Sequence, residues 1–166
     1  MMEDFTEKQC FLKHWWFILL PAFVFGSIAV LVDDEAQTET YQVVIFFVAF
    51  TLVLLLFLFM CLHTRINEKS IEVQFKPLMF KVRKIQWSDV VQVKVIEYSP
   101  LFDYGGWGYR KSFSGKKAAL NVYGNQGLEL ILKDDTKLMI GTQRKDDLNN
   151  YLSYIKRKYQ LQQIVA

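Results

Sequence analysis

The stretch Tyr98 to Lys117 concentrates side chains that bind rather than react. Tyr104 and Trp107 flank Gly105-Gly106, and Arg110, Lys111, Lys116 and Lys117 follow within a few residues. Asp103 is the only acid between Tyr98 and Asn121, so these cations have no local set of partners. Glycine-rich, aromatic and basic loops commonly form binding surfaces. The competing reading is architectural: the glycines make a bulge and the Trp107 ring plugs one end of a barrel. The glycine spacing does not form a dinucleotide fingerprint, because no helix follows it. Lys81, Arg83 and Lys84, shortly after Lys76, make a second basic group. Lying on a strand pair beside an anionic surface, it would add electrostatic attraction.

Residues that could carry a reaction are sparse. The two histidines, His14 and His63, flank apolar segments and lack clustered Cys, Asp or Glu, so no metal site is expected. Neither Cys10 nor Cys61 has a candidate base nearby in sequence. Asp134-Asp135 reads as a turn, and Asp146-Asp147 as the first turn of a helix. No nucleophile–base set and no phosphate loop is present. The sequence therefore predicts no enzyme, no cofactor and no nucleic-acid partner.

The elements that must position the loop follow from periodicity. Apolar residues alternate with polar ones at Ile71/Val73/Phe75, Phe80/Val82, Val91/Val93/Val95 and Leu128/Leu130/Leu132, a pattern of half-buried antiparallel strands. Gly124–Gly127 and Lys133–Thr136 read as hairpin turns. Leu148, Tyr151, Leu152, Ile155 and Tyr159 instead follow helical spacing, with acids at the start and Lys156, Arg157 and Lys158 at the end, matching the helix dipole. The prediction for residues 65–166 is an antiparallel β-barrel or sheet closed by a C-terminal amphipathic helix.

Residues 1–64 read differently. Two uncharged runs, about residues 15–32 and 43–62, are each long enough as helices to cross a bilayer. They predict a transmembrane hairpin. The DDEAQTET connector is acidic, while cations flank the pair. The positive-inside rule then puts both termini and the domain in the cytoplasm. Cys10 and Cys61 would lie on that side as reduced thiols, with no disulfide. A cleaved signal peptide is disfavoured by the acidic N-terminus and the long apolar run. Residues 1–62 hold two basic and seven acidic residues; the remaining residues hold 18 basic and ten acidic. A basic back half suits an anionic surface.

The segments Trp87-Ser88-Asp89-Val90, Tyr98-Ser99-Pro100, Tyr104-Gly105-Gly106-Trp107-Gly108-Tyr109-Arg110, Gly124-Asn125-Gln126-Gly127 and Ile140-Gly141-Thr142-Gln143, with the preceding apolar hairpin, resemble small bacterial membrane proteins carrying a bacterial PH-like domain. The spacing of Lys81, Arg83 and Lys84 also loosely resembles the basic motif by which some PH domains hold phosphoinositides. The resemblance implies a PH-like fold at the inner membrane face and no particular reaction. The expectation is a non-enzymatic, membrane-anchored α+β module, integral to the lipid bilayer of the cytoplasmic membrane. It would bind a protein partner or its own copies, or else anionic lipid headgroups. The residues expected to do this are Tyr104, Trp107, Arg110, Lys111, Lys116, Lys117, Lys81, Arg83 and Lys84.

Overall fold

The computed structural model describes residues 3–11, 45, 48–49, 51–52, 55–56, 58–112, 114–162 and 164–165. The chain divides into two units, residues 1–9 with 61–166, and residues 10–60. The chain order is β1 (Phe5–Cys10), β2 (Cys61–Ile66), β3 (Ser70–Lys76), β4 (Arg83–Gln86), β5 (Val90–Glu97), helix α1 (Pro100–Tyr104), β6 (Gly108–Lys111), β7 (Lys117–Asn121), β8 (Gln126–Leu132), β9 (Lys137–Gly141), helix α2 (Lys145–Tyr159) and β10 (Ile164–Val165). The strands form a four-stranded sheet ordered β1-β2-β3-β4 and a six-stranded sheet ordered β10-β5-β8-β9-β7-β6.

The alternating residues of β3 and β8 do what their period requires, whereas in β5 a register shift between Val90 and Gln92 leaves Val91 55% exposed while Val93 is buried. In β3, Ile71, Val73 and Phe75 are fully buried while Glu72 and Gln74 face outward. In β8, Leu128, Leu130 and Leu132 point into the core. The helical stripe forms α2, which buries Leu148, Tyr151, Leu152 and Ile155.

The antiparallel expectation needs correction. β7 pairs with β9 in parallel, as does β10 with β5. Lys133–Thr136 does join the antiparallel hairpin β8–β9, but Gly124–Gly127 closes no hairpin, since β9 lies between β7 and β8. The run Phe80–Val82 is also not a strand. Met79 N–H donates to the Phe75 carbonyl at 2.7 Å, turning the chain after Pro77, and β4 starts only at Arg83. Phe80 is left 93% exposed.

The largest corrections concern the N-terminal third. Phe5–Cys10, read as a flank, is a strand of the four-stranded sheet. Its inward side chains include two polar groups. Glu7 accepts hydrogen bonds from the Thr142 hydroxyl at 2.7 Å and the Gln143 N–H at 2.8 Å, and Gln9 Nε2 donates to the Gly141 carbonyl at 2.7 Å.

The first predicted membrane helix lies outside the described residues. The second was to run to residue 62, yet helical backbone ends at Phe59 and Cys61–Leu62 open β2, where Leu62 is fully buried opposite Phe75. Among the described residues, no helix is long and apolar enough to cross a membrane. The α+β architecture with a transmembrane hairpin, and the integral-membrane location with a cytoplasmic domain, are thus not borne out. The expectation of reduced thiols also fails: Cys10 and Cys61 are both disulfide-bonded, and the chain has no third cysteine.

Candidate binding surface

The loop from Tyr98 to Lys117 is folded, and its glycines are used for backbone geometry. Pro100 opens α1, where its missing N–H costs nothing, and the Asp103 carboxylate accepts the Ser99 N–H at 2.8 Å. Gly105 ends the helix in the left-handed region at φ 74°, and the Gly106 N–H closes back on the Pro100 carbonyl at 2.8 Å. The buried Asn121 side chain then ties this excursion to the sheet. Its Oδ1 accepts the Gly108 N–H at 2.9 Å, and its Nδ2 donates to the Tyr98 hydroxyl at 2.9 Å.

α1 covers one end of the sheet's outer face. Tyr98, Ala119 and Met139 form a small core there, with Ile96 and Tyr104 against it. Tyr98 and Tyr104 meet edge to face at 5.7 Å. Gly127 is required below them, because a Cβ there would lie 2.8 Å from the Met139 sulfur and 3.0 Å from the Tyr98 ring. Tyr104 stays a neutral phenol. Burial first, then the charges of Glu129 and Asp103, push its pKa up to about 12.

Trp107 is 37% exposed, so it is not a core plug; its indole N–H donates to the Gly124 carbonyl at 3.3 Å. Arg110 and Lys111 lie on β6 with Tyr109, all exposed, and β6 is the outermost strand of its sheet. Arg110 Nε donates to the Trp107 carbonyl at 3.2 Å. Lys116 is exposed. Lys117 donates to the Asp103 carbonyl at 2.9 Å, with its ammonium 4.5 Å from the Tyr104 ring centroid. Among the described residues, Arg110, Lys111 and Lys116 join no ion pair. The structure thus places Arg110 and Lys111 on the β6 edge, with Trp107 just before that strand, and sets Tyr104 and Lys117 over the adjoining face of the same sheet.

No family model, no curated protein and no solved structure matches this chain. The resemblance to bacterial PH-like membrane proteins therefore receives no test from them, and the function rests on the surface itself.

The second predicted group lies elsewhere. Lys81 is exposed between β3 and β4, while Arg83 and Lys84 sit on β4, the edge of the other sheet, where Lys84 pairs with Glu72 at 3.1 Å. A groove of about 430 Å³ on this sheet is lined by Lys8, His63, Arg65, Glu72 and Gln74 among others. Arg65 is paired with Asp4 at 2.8 Å. His63 is held neutral near pH 7: burial lowers its pKa, as do the charges of Lys8 and Lys76.

Sequence reasoning missed Lys94, Lys137 and Glu129. The Glu129 carboxylate, on the outer face of β8, is only 2% exposed and is ion-paired to Lys94 at 3.0 Å and to Lys137. Burial alone would raise its pKa, but hydrogen bonds from Lys137 and Lys94 outweigh that and leave it below the ordinary glutamate value. Strand alternation marks Glu129 as outward-facing, but nothing in the local sequence shows which lysines reach it.

Proposed function

We propose that this chain is a non-enzymatic binding module that takes an acidic protein segment along the edge of β6. The observation that carries this is the character of that edge. β6 pairs on one side only among the described residues, and it presents Tyr109, Arg110 and Lys111 exposed, with both cations outside any ion pair. An edge strand offers unpaired backbone donors and acceptors to an incoming strand. Lysines on such an edge also discourage indiscriminate pairing, so a partner must carry complementary charge. Trp107 and Tyr109 supply amphipathic contact area of the kind that anchors interfaces. The partner is either another protein or a second copy of the chain.

Photo-crosslinking from position 109 of the full-length chain tests this. A crosslinked segment rich in Asp and Glu, lost on R110E/K111E at unchanged melting midpoint, is the expected result. Crosslinking that is indifferent to those reversals would refute it.

A further inference from the structure

We propose that the outer face of the six-stranded sheet, beside α1, binds a compact, multiply charged oxyanion of the phosphate class. This site is separate from the β6 edge and does not depend on the reading given for it.

The argument starts from register. Lys94 on β5 lies directly opposite Glu129 on β8, and Glu129 lies opposite Met139 on β9. One row along, Lys137 on β9 lies directly opposite Lys117 on β7 in the parallel ladder. Like charges facing each other across neighbouring strands destabilise a sheet. Here the repulsion is built into its middle strands, where a single neutral residue would remove it. Lys94, Lys137 and Lys117 thus share this face of the sheet with the buried Glu129.

That carboxylate acts as an anchor. Glu129 is 2% exposed, whereas the Lys94 and Lys137 side chains remain 38% and 43% exposed. The buried anion holds two ammonium groups in place at the surface without covering them. An ammonium has three N–H donors. Lys94 and Lys137 each set their ammonium against a different Glu129 oxygen, and both side chains stay partly exposed, so a ligand can still reach them. Lys117 is steered from the other side by the Asp103 carbonyl at 2.9 Å and the face of the Tyr104 ring. The Asp103 carboxylate makes no ion pair with it among the described residues and accepts the Ser99 N–H at 2.8 Å.

Three lysines outnumber the Glu129 carboxylate and, with Asp103 nearby counted too, still leave positive charge over. A single peptide carboxylate brings one charge and two oxygens in a plane. A phosphate group brings up to two charges and a tetrahedron of oxygens, which can meet ammonium groups arriving from three directions. The phosphate could come from a soluble molecule or from a phospholipid headgroup, and the same lysines would hold either.

The test is calorimetric titration of the full-length chain with pyrophosphate, using sodium chloride of equal ionic strength as the control. Saturable binding is expected, weakened at least about tenfold by K117Q and by K137Q, or about 1.4 kcal/mol. K117Q leaves both Glu129 ion pairs intact, and K137R keeps the charge and should retain binding, so a folding defect in K137Q does not decide the matter. Flotation with phosphatidylcholine vesicles, with and without phosphatidic acid, separates the sources. Association that requires phosphatidic acid, is displaced by pyrophosphate and is lost in K117Q assigns the headgroup. Pyrophosphate binding without flotation assigns a soluble phosphate. Heats no larger than those of chloride, or K117Q and K137Q titrating like the parent, would overturn the proposal.

Discussion

Two buried carboxylates in this protein are satisfied in opposite ways. Glu7, on β1, is met by neutral donors, the Thr142 hydroxyl and the Gln143 N–H. Glu129, on β8, is met by two ammonium groups while a third lysine lies one strand beyond. The first arrangement ties the N-terminal strand to the turn before α2 through neutral partners. The second leaves positive charge over. A carboxylate held by neutral donors is a structural fastening; one that holds more cations than it can neutralise prepares a surface for something else.

The comparison is broken most severely by stripping Glu129 of its partners. K94M/K137M leaves a buried charge unpaired and is expected to cost about 3–5 kcal/mol in urea denaturation. Lys84→Met, which removes an exposed pair with Glu72, should cost about 0–1 kcal/mol in the same assay. Similar losses for both would mean that burial does not distinguish them.

Glu7→Ala comes next. It orphans the Thr142 hydroxyl and the Gln143 N–H, and a loss of about 1–3 kcal/mol is expected. Phosphate binding on the other sheet should be untouched.

A pH series sharpens the contrast. The folded pKa of Glu129 lies below its ordinary value, so its ion pairs contribute stability that is present above the unfolded pKa and is lost as pH falls through the folded one. Stability should therefore drop on acidification below the ordinary glutamate range, and E129Q should flatten that drop. An identical acid limb in parent and E129Q would contradict the assignment.

The smallest effect belongs to the edge. R110Q/K111Q/K116Q removes cations that make no ion pair among the described residues, and thermal melting should be unchanged while partner crosslinking weakens. A variant that unfolds would show these residues to be structural.

The terminal helix was legible because Leu148, Tyr151, Leu152 and Ile155 repeat on one face, and local spacing suffices for that. β1 was not legible, because its inward positions include Glu7 and Gln9, polar residues whose partners lie more than 130 positions away. The order of β7, β8 and β9 escaped for a related reason: alternation identifies strands but not which neighbours pair, and here the chain places β9 between β7 and β8. At the candidate surface, the cluster from Tyr104 to Lys117 was visible from composition and its lack of local acids. The Lys117–Lys137 juxtaposition depends on a parallel pairing across 20 residues, which no local pattern encodes. Trp107 was ambiguous in sequence between plug and contact residue, and its partial exposure with an indole bond to Gly124 excludes the plug.

The central claim is that the β6 edge, not basic charge in general, selects the partner. Its most direct test is photo-crosslinking from position 109 of the full-length chain in two charge-reversed variants, R110E/K111E on β6 and K81E/K84E at the edge of the other sheet. The account predicts that the crosslinked partner is lost in the first and recovered in full from the second. Equal recovery from both, or equal loss from both, would contradict it.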